Sequence, residues 1–90
     1  MIIELKGTLK VIFTEEQINE KLNKKQIVIT IDEDTQYPQD ITLEAINNGV
    51  RQLDSFNMGH RVVATAYLKG RENKGRYYNQ LTLKDIKNEI

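Results

Sequence analysis

The sequence predicts a mainly β fold, a five-stranded barrel carrying one short helix between its third and fourth strands. Three observations predict it. Apolar residues recur at every second position through five separate runs, the period of a half-buried strand. The first run is long and carries Gly7 on its buried side, where a glycine marks a bend. A stretch after Asn47 instead spaces Val50 and Leu53 three apart, as a short helix requires.

Residues 2–13 place Ile3, Leu5, Leu9, Val11 and Phe13 on one face and Glu4, Lys6, Thr8 and Lys10 on the other, describing a long strand with one wet side. Gly7 sits mid-strand, the place for a bulge or the corner of a small barrel. Residues 14–25, TEEQINEKLNKK, break the alternation. Thr14 and Gln17 have capping-box spacing, and Ile18 and Leu22 would share one side of a turn, so a loop holding one helical turn is expected. Alternation resumes over 26–32, with Ile27, Ile29 and Ile31 inward and Val28, Thr30 and Asp32 outward. DEDTQYPQD then reads as a turn in which Pro38 fixes its own φ and holds Tyr37 extended. Residues 41–46 form the third strand with Ile41, Leu43 and Ala45 inward. Asn47 or Asn48 is placed to cap the helix, and Gly59 to end that segment after Phe56. Residues 61–69 and 76–86 are the last two strands.

Pairing Gly70 with Gly75 across a loop of Arg71 to Lys74 tests those two strands, because faces must agree pair by pair. Leu68 then meets Tyr77, Ala64 meets Leu81 and Val62 meets Leu83 on the inner face. Lys69 meets Arg76 and Tyr67 meets Tyr78 on the outer face, so Tyr77 reads as core. Ala66 against Asn79 is a poor pair, since a buried amide needs partners or a bulge.

The element order β1-β2-β3-α-β4-β5 with a glycine-bent first strand is the layout of the oligonucleotide/oligosaccharide-binding (OB) barrel, whose ligands favour the strand 2–3 face and the 1–2 and 4–5 loops. An open antiparallel sheet covered by one helix is the rival architecture. Ninety residues predict a single domain, 1–90, with a modest core that oligomerisation would help. The absence of cysteine excludes disulfides, thiolate zinc sites and a thiol nucleophile, and suits a reducing compartment. Charges at Glu4, Lys6 and Lys10 interrupt the N-terminal apolar run, so neither a signal peptide nor a membrane span is expected, and the location expected is cytoplasmic.

Zero net charge hides an asymmetry. Residues 26–48 hold five acids and no Lys or Arg, whereas residues 60–90 hold seven Lys or Arg against three acids. Such a chain presents a basic face to an anion while remaining neutral overall, and the split also suits self-association.

Particular motifs carry a family resemblance: Lys24-Lys25-Gln26, Gln36-Tyr37-Pro38, Leu53 through Gly59, and above all Gly70-Arg71-Glu72 with Gly75-Arg76-Tyr77-Tyr78 and the final strand. Over roughly residues 24 to 87 the chain resembles short bacterial and phage domains of unknown function that are similar to single-stranded DNA-binding protein and to primosomal replication protein B. The resemblance implies an OB fold and a single-stranded nucleic-acid ligand. The chain departs from it at Asn23 and Ile46, where aromatics are common, and at Gln39 and Asp40, where cations are common. Those departures remove stacking platforms and positive charge, which lowers the affinity expected.

Single strands are held by aromatics that stack on bases and cations that follow phosphates. The hairpin supplies both: Tyr67 and Tyr78 to stack, with Lys69, Arg71, Lys74, Arg76 and Lys84 along the backbone. Lys21, Lys24 and Lys25 in the first loop would form the opposite bank, while Asp32 and Glu44 would repel phosphate. A cross-strand tyrosine pair that merely stabilises the sheet, with solvated cations at a hairpin tip, explains the same residues without a ligand. The acidic turn lacks the glycine and terminal glutamate of an EF-hand, so no metal is expected there. Lone His60 has no evident metal partners, nothing pairs it with Ser55 for nucleophilic chemistry, and no phosphate-cradling glycine motif occurs. The expectation is therefore a non-catalytic protein without cofactors that binds single-stranded DNA, with RNA the alternative, and forms a homo-oligomer, a dimer being favoured. The competing reading is a protein-interaction module of a replication or repair assembly.

Overall fold

A computed structural model describes residues 1–89. Six strands and one short helix occur in the order β1 (Ile2–Ile12), β2 (Glu16–Asn19), β3 (Leu22–Ile31), β4 (Gln39–Ile46), α1 (Asn48–Gln52), β5 (Arg61–Asn73) and β6 (Arg76–Asn88). A single 3₁₀ turn, Leu53–Ser55, follows α1. The sheet runs β1-β5-β6-β4-β3-β2, and β1 also pairs with β3, which bends the sheet into a ring. This is an OB-type barrel, and the open-sheet alternative is excluded by the β1–β3 closure.

Closure depends on β1 changing partners. Its first half pairs with β5 from Ile2 to Thr8, and its second half pairs with β3 from Thr8 to Ile12. Gly7 stands at the handover, where any Cβ would collide with the carbonyl oxygen of Thr30. A bulge between Leu9 and Val11 follows immediately. It reverses the faces: Ile12, opposite Ile27, packs against the core, whereas Val11 lies opposite outward-facing Val28 and Phe13 is exposed. The inward placement read for Val11 and Phe13 is thereby corrected.

The core is built from alternate residues of every long strand. Leu9, Ile27, Ile29, Leu43, Leu53 and Val62 are almost wholly inaccessible, each burial stabilising the fold by about 1.5–3 kcal/mol. Alpha-1 and the turn after it plug one end with Val50, Leu53 and Phe56. Asn47 precedes α1 at φ 51° and makes no side-chain cap. Its Oδ1 instead accepts from the Asn23 N–H at 3.0 Å, while its own N–H donates to the Asn23 carbonyl at 2.9 Å, tying the helix start to β3.

Residues 16–19 form a strand of a small hairpin with β3, not the helical turn read from Thr14 and Gln17. The β5–β6 hairpin also differs from the expected pairing. Lys74 and Gly75 both take positive φ, 53° and 78°, making a two-residue turn whose twist matches the flanking strands. Arg71 and Glu72 consequently lie within β5, and Gly70 faces Asn79 instead of Gly75. From Ala66 to the tip the shift is an even number of residues, so the faces predicted for the arm survive. The unfavourable pairing disappears: Ala66 meets Leu83, and Asn79 is exposed. A bulge between Thr65 and Ala66 on this ladder lets Leu83 and Ile86, three residues apart, both enter the core.

Candidate functional site

Beyond the Tyr67–Thr82 pair, β5 has passed the start of β1, and β6 has passed its one bridge to β4 at Glu44–Thr82. The six further residues of β5 project as a two-stranded arm about 20 Å long. Alternation sorts its side chains. Tyr67, Lys69, Arg71, Arg76, Tyr78 and Gln80 share one face; Leu68, Glu72, Tyr77, Asn79 and Leu81 share the other. Tyr67 lies opposite Thr82 and Tyr78 opposite Arg71, so the two rings are not a cross-strand pair. They stand four residues apart along the ribbon, about 13 Å, and are 37% and 45% exposed. Tyr77, read as core, is 79% exposed because the arm has left the barrel by that point.

The remaining predicted residues divide. Lys74 occupies the arm's tip. Lys84 belongs to the bulge on β6 and lies on the barrel wall, below the arm. Lys24 and Lys25 are not in a loop but within β3, on opposite faces: Lys25 shares the parity of buried Ile27, and Lys24 that of Gln26. Lys24 also pairs with Glu44.

Charge on the arm is unbalanced. The ion pairs among the described residues engage Lys6, Lys10, Lys24 and Arg61; none engages Lys69, Arg71, Lys74, Arg76 or Lys84. Glu72 is the one acid of the arm and lies on the face away from Lys69 and Arg71. The acidic turn is partly neutralised: Glu33 holds Arg61 at 2.9 Å, and Asp40 holds Lys10 at 2.9 Å and the Thr30 hydroxyl at 2.7 Å. Those two contacts, with Lys10 the larger cause, keep the Asp40 carboxyl below its ordinary value of 3.8. Asp32, read as an outward strand residue, lies beyond β3 in that turn at φ 55°.

An open cleft of about 900 Å³ separates the arm from the barrel. Phe13, Leu68 and Leu81 supply its apolar surface. Its polar walls are Thr14, Glu16, Lys24, Gln26, Thr42 and Glu44 on the barrel side and Asn79 and Gln80 on the arm. Strand register lines several of these up: Gln26 faces Glu44, Glu44 bridges to Thr82, and Thr82 faces Tyr67. Sequence reading missed Phe13, Gln26, Asn79 and Gln80 as a group. Phe13 was concealed by the bulge that turned it outward, and Asn79 by a hairpin register four residues off that paired it with Ala66. Among the described residues no group of three or more His, Asp or Glu could hold a metal ion, and no helix is long and apolar enough to cross a membrane. His60 Nδ1 accepts from the Asn57 N–H at 3.3 Å, closing the turn before β5.

A closed small barrel with a projecting, cation-bearing hairpin defines the class as OB-fold proteins. Within it, the chain belongs to the family described as Domain of unknown function (DUF3127), whose model matches residues 4–87. No curated protein matches the sequence significantly. Solved structures do match the fold. The mitochondrial single-stranded DNA-binding protein Rim1 of S. cerevisiae superposes with a TM-score of 0.80 at 17% identity, covering 98% of this chain and 94% of that one. The N-terminal domain of PriB from Thermoanaerobacter tencongensis, described as dimeric, gives 0.72 at 11% identity, with 99% and 96% covered. A small single-stranded DNA-binding protein from Streptomyces coelicolor gives 0.64 at 16% identity, with 100% and 93% covered.

Proposed function

We propose that this protein binds single-stranded DNA by occupancy alone, keeping a strand extended or presenting it to a partner, with no chemistry performed. The observation that carries the reading is the arm: Tyr67, Lys69, Arg71, Arg76 and Tyr78 share one exposed face, and no carboxylate among the described residues pairs with its cations. An isolated two-stranded ribbon is marginal in water, so an arm this long gains from a ligand along it. Tyr67 and Tyr78 stack on bases, while Lys69, Arg71, Lys74 and Arg76 meet phosphates and Lys84 extends the track along the barrel wall. Lys24 is compromised by Glu44, and Lys25 contributes only if the strand rounds the barrel rim.

Fluorescence anisotropy with a labelled oligothymidine at several salt concentrations tests this. Four phosphate contacts on a single strand give a log–log slope of about −3. Absence of binding at low salt would overturn the reading. An RNA oligomer of the same length distinguishes the alternative ligand.

We further propose a dimer. Residues 2–7 of β1 pair with β5 on one side only, because β3 joins β1 from Thr8 onward. That leaves an open strand edge, the element through which β-sheets extend between molecules. Exposed Glu4 and Lys6 flank Leu5, so antiparallel pairing of two copies about Leu5 sets each Glu4 opposite the partner's Lys6.

A further inference from the structure

Resting on the reading that the arm binds a single strand, we infer that the cleft beside it selects a base bearing an exocyclic amino group, cytosine or adenine, over thymine. The cleft and the arm offer different chemistry. Lys69, Arg71, Lys74 and Arg76 lie on the arm and do not line the cleft; the one cation lining the cleft, Lys24, is already bound to Glu44. Two carboxylates, Glu16 and Glu44, line the same space, so a phosphate is repelled from it. A neutral, flat, polar group is what fits: its ring covers the apolar surface of Phe13 and Leu81, and its edge meets the amides of Gln26, Asn79 and Gln80.

Those three amides are uncommitted. Among the described residues none of them makes a side-chain hydrogen bond to the protein, although the same fold ties the side chains of Asn19, Asn47, Gln39 and Gln52 to backbone groups. Asparagine and glutamine read base edges by giving and accepting at once, and a carboxylate accepts from a base amino group. Acceptors therefore predominate in the cleft: each amide brings one oxygen and one NH₂, Glu44 is held by Lys24, and Glu16 adds a carboxylate that no ion pair among the described residues engages. Thymine presents its one N–H between two carbonyls, so a carboxylate that accepts from it faces an acceptor on either side. Cytosine and adenine present an amino group to that carboxylate.

Placement supports the same assignment. Gln80 lies opposite Lys69 on the cation-bearing face of the arm, and Asn79 is its neighbour on the other face, so the cleft begins at the free edge of β6 beside the cations. A strand whose phosphates follow Lys69 and Arg71 needs only to turn one base around that edge to seat it. Binding along the arm and selection in the cleft are thus separable.

The test uses an oligothymidine and the same oligomer with one central dC or dA, which avoids the self-stacking of homopolymers. Anisotropy at fixed salt is expected to show about 5-fold or tighter binding of the substituted strands. Gln26→Ala with Asn79→Ala should abolish that difference while leaving the oligothymidine affinity unchanged. All of these positions are exposed, and thermal melting of the variants checks that the barrel is intact; Gln80→Ala alone supplies a second, milder probe. Equal affinity for all three oligomers, or a preference that survives the double substitution, overturns base selection and leaves strand binding standing. Failure to bind any oligomer at low salt overturns both.

Discussion

Gly7 shows how one absent atom closes the barrel. Beta-1 must pass from β5 to β3 within a residue of Thr8, and the backbone of Thr30 occupies the space a side chain would need. Gly7→Ala is expected to destabilise the fold by about 1–3 kcal/mol, the scale of overpacking, measured by urea denaturation. An unchanged midpoint would mean that β1 and β3 separate more readily than their pairing implies. Asp40 makes a subtler contribution nearby. Lys10 from β1 and Thr30 from β3 both donate to it from neighbouring strands, holding its carboxyl below 3.8. A depressed folded value means the ionised form favours the native state. That contribution is complete above the ordinary carboxylate range and is lost as pH falls through the folded value, below 3.8. Carbon-detected NMR titration should place the Asp40 midpoint below that of a free aspartate, and Asp40→Asn should flatten the acid limb of the stability curve. At the proposed ligand face, Tyr78→Ala should cost about 1–3 kcal/mol of strand affinity with little change in melting temperature, since its ring has left the core and lacks a tyrosine partner.

The arm's turn links stability and binding in opposite directions. Lys74 holds φ 53° ahead of Gly75, a geometry that asparagine adopts more readily than lysine. Lys74→Asn is therefore expected to stabilise the hairpin by about 1 kcal/mol while removing one proposed phosphate contact, which would lower the salt slope by about 0.7. Melting temperature and anisotropy moving in opposite directions would establish both roles; a fall in each would place Lys74 in a different turn. This turn also marks the limit of what alternation reveals. Faces along β3, β4 and the arm were legible because the period of two is preserved under any even slip, so Tyr67 and Tyr78 were assigned to one face despite a wrong register. Register itself was not legible: the glycine at 70 resembled a turn residue as much as Gly75 did. Bulges were invisible as well, since an extra residue leaves composition unchanged while reversing every face after it. That is why Phe13 was read inward and the cleft was missed, although Ala66 against Asn79 already signalled a faulty pairing. Beta-2 was obscured because all of its residues are exposed, leaving Ile18 and Leu22 to mimic a helical turn.

At the scale of the whole molecule, a neutral chain separates its charges by strand order. The ring brings acidic and basic segments together on one side, at the Arg61–Glu33 and Lys10–Asp40 pairs, and leaves the arm positive on the other. Dimerisation through β1 would double that arrangement: each β1 is flanked by β5, whose continuation is the arm, so joining two copies presents two arms from one continuous sheet. Two arms on one assembly raise the effective concentration of the second site and tighten binding to a strand long enough to reach both. Light scattering after size exclusion should give twice the chain mass. Glu4→Lys sets like charges opposite each other in the proposed register and should shift the population toward monomer, as should Lys6→Glu. Combining the two substitutions restores opposite charges across the two-fold axis and should restore the dimer. Recovery in the double variant is the decisive outcome, because charge loss alone does not produce it. A dimer indifferent to all three variants would place the interface elsewhere, on the exposed apolar residues near the arm, while a persistent monomer would limit the protein to one arm per strand and shorten the oligonucleotide it covers.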